Sequence, residues 1–274
     1  MRSADILTDL CPDAGHMNHM PGHIYVLCGD YEKAKAVSEV SIKADDKYLE
    51  VVHTMEGYYS MKMHVLVRFG RWQEIIHSPM PVDADLYCVS TAMHHYAKGV
   101  AYAALKDFPA AKQQCRFFYQ SVARIPNNRK FFNNAAVITL GVAEEMLQGE
   151  LAYHTGNIEA AFDHLREAVI RDDNLEYTEP RAWMHPPRHA LGALLAAQHR
   201  YNEAEEVYRT DLGLNDKLHR CAQHPDNVWA LHGLVECLQH RGDVVELPMY
   251  QLKLNAALKR SDGSVKSSCL CRSY

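Results

Sequence analysis

Seventeen histidines in 274 residues are the side chains here best equipped for chemistry. His16, His19 and His23 follow one another at spacings of three and four, which on a helix share one face. His185 and His189 are four apart, and so are His232 and Glu236. Two imidazoles at i, i+4 can share a metal ion, since ligand nitrogens must come within about 2.0–2.1 Å of zinc. A carboxylate such as Glu236 would add a ligand or act as a base on bound water. Left neutral, the same groups make a hydrogen-bonding wall for a peptide. Pro21 falls between His19 and His23, where it threatens to kink the helix and throw the two out of register. Near the end, Cys269-Leu270-Cys271 sets two thiols one residue apart, a pair suited to a soft ion such as copper(I) or zinc. Residues 261–274 otherwise read as a flexible tail without a role.

The elements that must position these groups are marked by a recurring pattern. Glycine or a polar residue, then Asp, Asn or Arg, then an aromatic or aliphatic residue, is followed three further on by a small or aliphatic one. The copies begin at Gly29, Gly70, Lys106, Gly156, His199 and Gly242. Each sits between two apolar runs of helical period, such as Leu86–Leu105 and Pro109–Arg124, or Pro186–Gln198 and Tyr201–Leu212. Asp30, Asp107, Asn157 and Asp243 stand where a helix N-cap belongs. Loops are expected at Ser78–Ala84, Asn174–Pro180 and Asp216–Pro225, and no period-2 segment calls for a sheet. The spacing predicts an all-α chain of about six helical hairpins over residues 1–260.

Gly22, Gly99, Gly149 and Gly192 before the turns, Tyr25 and Tyr102 three residues later, and an alanine after most turns resemble the tetratricopeptide repeat. The small or aliphatic residues at 34, 75, 111, 161, 204 and 247 are spaced 41, 36, 50, 43 and 43 apart, against a family period of roughly 34. The stretches His19–Tyr25, Pro187–Gly192 and His224–Trp229 are similar to a divergent group of such proteins, and more distantly to the tetratricopeptide repeat protein 38 group. Those relatives extend further at the N-terminus. The resemblance implies a right-handed helical-hairpin solenoid. It also implies that residues ten and six positions before each turn glycine line the concave surface. Ten before gives His19, Ser60, Tyr96, Met146, His189 and His232; six before gives His23, His64, Val100, Glu150, Ala193 and Glu236. Five of these twelve slots are histidine, where composition gives about one. Two groups result: His16, His19 and His23 with His64, and His189 with His232 and Glu236. His77, His154, His164, His199 and His240 fall near turns or on second helices and read as surface.

Composition narrows the function. The 47% hydrophobic and 23% charged content is that of a soluble protein, and a net charge of −5 with no basic stripe argues against nucleic acid. No apolar run is long enough to span a bilayer, and Arg2, Asp5 and Asp9 break any signal-peptide core, so a cytoplasmic location is expected. The scattered cysteines read mostly as buried free thiols. Nucleotide-binding, zincin and nucleophile-elbow motifs are absent. The expectation is an interaction module that binds a protein or peptide on its histidine-rich concave face. The alternative is a metal-dependent enzyme, an oxidoreductase for instance, using zinc, copper or iron on His16, His19, His23, His64, His189, His232 and Glu236.

Overall fold

The computed structural model describes residues 2–7, 14–45, 56–179, 181–261 and 265–272. Among them the chain is all-α apart from one short strand pair. Helix α1 (Arg2–Leu7) precedes six hairpins: α2 (Gly15–Cys28) with α3 (Tyr31–Asp45), α4 (Glu56–Arg68) with α5 (Trp72–His77), α6 (Cys88–Ala104) with α7 (Phe108–Val122), α8 (Ala136–His154) with α9 (Ile158–Asp173), α10 (Pro187–Ala197) with α11 (Tyr201–Asp211), and α12 (Val228–Arg241) with α13 (Leu247–Arg260).

One turn, used six times, makes the hairpins. The first residue of every sequence pattern is left-handed: Gly29, Gly70, Lys106, Gly156, His199 and Gly242 all have positive φ. Each donates to the carbonyl three residues back, and the next residue donates to the carbonyl five back, as in Gly29 N–H to Val26 O (3.2 Å) and Asp30 N–H to Tyr25 O (2.9 Å). That double bond satisfies the last carbonyls of the first helix. Glycine takes the left-handed position freely, whereas Lys106 and His199 hold it at a conformational cost. The following Asp or Asn then starts the second helix: Asp107 accepts from Ala110 N–H and Asp30 from Lys33 N–H. Asn157 makes no such bond, and Asp243 caps only a turn, because α13 begins four residues later.

Small residues sit where helices close together. Ala111 and Ala204 are fully buried. The Tyr208 ring lies between Gly192 and Gly233, where an added Cβ would come within 2.5 and 2.1 Å of it.

Two expectations need correction. Strands β1 (Lys130–Phe131) and β2 (Asn134–Ala135) pair antiparallel in the linker between α7 and α8, where no sheet was expected. The repeat spacing is longest there, and the extra residues turn back through Phe132 (φ 55°) so that Phe131 can be buried. The second correction is the tail. Residues 265–272 are packed on the body: Val265, Ser268, Cys269 and Cys271 are buried, and Cys269 and Cys271 form a disulfide instead of two free thiols. Tyr208 Oη donates to Ser268 Oγ (2.6 Å), and Arg272 grips both carboxylate oxygens of Glu236 (2.8 and 2.7 Å). A buried tyrosine hydroxyl between two glycines needs such a partner. Deleting residues 265–274 should therefore cost about 2–4 kcal/mol of stability, from lost apolar burial and an orphaned hydroxyl. An unchanged urea midpoint for the truncated chain would contradict this packing.

The array curls until its two ends meet. Phe69, just beyond α4, packs edge-on against Trp229 of α12 (5.7 Å), and Arg68 of α4 reaches His189 of α10 across 121 residues of sequence. The Gly29 turn presses on Ser261, past the end of α13, where an added Cβ would meet backbone at 2.7 Å. These contacts bring the first hairpins against the last.

Candidate functional site

A partly open cavity of about 350 Å³ lies where the first hairpins meet the last. Its walls come from the end of α2 and its turn, the last two turns of α4, the segment leading into α10, the segment leading into α12, and the end of α13. His64 and Arg68 lie four apart on α4 and so project together. His185 and His189 repeat that relation around the start of α10.

At the base runs a chain of polar groups. Arg68 Nη1 is 2.6 Å from His189 Nδ1, His189 Nε2 is 2.9 Å from Asp211 Oδ2, and Asp211 Oδ1 is 2.9 Å from His224 Nδ1. A guanidinium only donates, so His189 Nδ1 must accept, and its proton sits on Nε2 facing Asp211. His189 is held neutral for the same reason, because a second ring proton would point at Arg68. Burial pulls it down to about 4, against the attraction of Asp211 and with help from Arg68. Burial alone would raise Asp211, but His189 and His224 hold its carboxyl well below the usual range. Asn227 adds a third donor to Asp211 (3.0 Å) while its own carbonyl caps α12 at Ala230 N–H. Asp211 thereby fixes the start of α12 against the end of α11.

The upper wall is under-satisfied. His64 is 2% exposed, and neither ring nitrogen has a hydrogen-bond partner; it stands edge-on to Trp183 (4.6 Å). His185 is 5% exposed with Nδ1 unpartnered. Burial brings His64 down to about 3, and burial together with Arg68, His189 and His64 holds His185 well below its ordinary value. Burial lowers Arg68 to about 10, which leaves it a cation at neutral pH. Its guanidinium lies over Trp229 (4.2 Å).

None of the twelve slots assigned to the inner face is exposed, but the structure regroups the histidines. Pro21 does not interrupt α2, and His19 and His23 stay in register with ring centres 4.6 Å apart, His19 against Tyr58 (4.8 Å). The cavity that takes His64 includes neither of them. The side chain of His16 lies outside the described residues. The expected trio of His189, His232 and Glu236 is also not assembled: His189 is engaged by Arg68 and Asp211, and Glu236 by Arg272. Among the described residues no group of three or more His, Cys, Asp or Glu is placed to hold a metal ion. No helix among them is long and apolar enough to cross a membrane.

Sequence reasoning missed Arg68, Asp211, His224, Asn227 and Trp229. Arg68 is one turn past His64 on the same face, and His224–Trp229 is one of the stretches that carries the family resemblance. Asp211 gave no signal, being the last residue of a second helix. The sequence matches no family model and no curated protein at a significant level.

Proposed function

We propose that the chain is a helical-hairpin repeat protein of the tetratricopeptide kind and serves as a binding module whose recognition element is this cavity. The observation that supports this most is Arg68, which lines the 350 Å³ space and is paired with no carboxylate among the described residues. Unpaired buried polar groups cost stability, and a bound ligand would satisfy them. The volume lies in the range of small-ligand pockets and suits an inserted chain end or small molecule.

Selection of a displayed random-peptide library on the immobilised full chain should enrich binders that lose at least tenfold in affinity for Val65→Trp, which fills the cavity from its α4 wall. The variant should keep its helical circular dichroism. Enriched peptides that bind Val65→Trp and the parent equally well would place recognition elsewhere and overturn this reading.

A further inference from the structure

We propose that the cavity takes a monocarboxylate with an apolar body, its carboxylate seated on the unpartnered N–H groups of Arg68 and on the Nε2–H of His185. This rests on the cavity being the binding element and names the chemistry of its ligand.

The first ground is Arg68 itself. It takes part in no ion pair among the described residues, whereas Arg129 is paired with buried Glu56 and Arg188 with Asp173. The carboxylate nearest in the chain of bonds, Asp211, lies behind His189 and is already held by three donors. Of the five guanidinium N–H groups only the one to His189 has a partner, and the residue lines the cavity. The fork is fixed in place, by His189 at one nitrogen and by the Trp229 ring beneath, so little is lost in ordering it on a ligand.

The second ground is independent of it. His185 lines the same space and is more than nine-tenths buried; its Nδ1 is sealed in protein, and its Nε2 makes no hydrogen bond among the described residues. The neutral imidazole has one N–H to donate.

The third is the rest of the wall. Val26, Leu27, Val65, Phe69, Met184 and Val228 are apolar. Asp226, the acid that lines the cavity, is exposed and paired with Lys253 (2.9 Å). Arg181 is occupied by the carbonyls of Cys221, Ala222 and Gln223. Arg260, the third arginine of the lining, is exposed, so Arg68 is the fixed fork within the wall that no described carboxylate engages, and its planar N–H pair matches a carboxylate.

The test uses the full chain and calorimetry with a panel of monocarboxylic acids from propionate to 3-phenylpropionate, each beside its primary amide. A second arm uses short peptides ending in phenylalanine, with the terminus free or amidated. At least one acid or free-terminus peptide should bind about 10- to 100-fold more tightly than its amide, the range of a charge-assisted hydrogen bond. Arg68→Met should remove that difference. His185→Phe, which keeps a ring of similar size in the wall, should stay folded and still lose affinity for the acid, so the proposal remains testable if Arg68→Met does not fold. Binding of the free acids identifies a small molecule as the source of the carboxylate, and binding of the peptides alone identifies a chain end; either outcome supports the proposal. Acids and amides that bind equally, a panel in which no acid binds, or acid binding untouched by His185→Phe would overturn it. In those cases, library peptides that still lose affinity for Val65→Trp would leave the binding-module reading standing, and their failure as well would remove both.

Discussion

Taking the protein from pH 7 to pH 5 should cost about 3 kcal/mol of stability. A loss of about 5 kcal/mol at its buried imidazoles is partly offset by Asp172, whose carboxyl burial raises to about 7, so that the fold gains a proton there. The imidazoles are His64, His185 and His189, all buried neutral. Burial puts His64 at about 3 and His189 at about 4, and holds His185 well below its ordinary value. In the unfolded chain each titrates near 6.5. Folded values below unfolded ones mean that stability is complete above about 6.5 and is lost as the pH falls, because the unfolded chain takes up protons the folded chain refuses. Each contributes at most about 1.4 kcal/mol per pH unit, so three give a limiting slope near ~4 kcal/mol per unit. Urea midpoints measured at half-unit steps check this. His64→Phe should flatten the slope by about one proton, and a stability level between pH 7 and 5 would show that these rings are not held neutral by the fold.

Asp211→Ala should be the most damaging single change near the cavity, at about 3–5 kcal/mol. The carboxylate receives His189, His224 and Asn227 through side-chain bonds and is 1% exposed. Alanine would leave three donors without an acceptor and a void at the junction of α11 and α12. It would also leave Arg68 with no carboxylate in its network. Asp107→Ala, which removes one cap bond at an exposed position, should cost only about 1 kcal/mol. Equilibrium urea unfolding of the two variants should show that gap. Equal losses would mean that Asp211 does not tie the end of α11 to the start of α12.

The hairpins were legible because each turn demands local chemistry. Four of the six left-handed positions are glycine, and the next residue is acidic, amide or arginine every time. The β1–β2 pair was not legible, since two-residue strands carry no alternation. For the site, the offsets that the resemblance supplied fall on positions none of which is exposed. They could not indicate which of those side chains meet. That depends on the curl that brings Arg68 onto His189 and Trp229, a contact between distant hairpins with no trace in local periodicity. The docking of the tail was hidden for a similar reason. Its cue is the Tyr208 hydroxyl emerging between Gly192 and Gly233 from three separate helices.

The central claim is that the cavity behind Arg68 is where this protein meets its ligand. A crystal structure of the full chain with the tightest-binding acid of the panel tests it most directly. The account predicts carboxylate oxygens within hydrogen-bond reach of the free Arg68 N–H groups and of His185 Nε2, with the apolar body against Val65 and Trp229. The acid seated on the outer surface, with Arg68 and His185 unchanged, would contradict it.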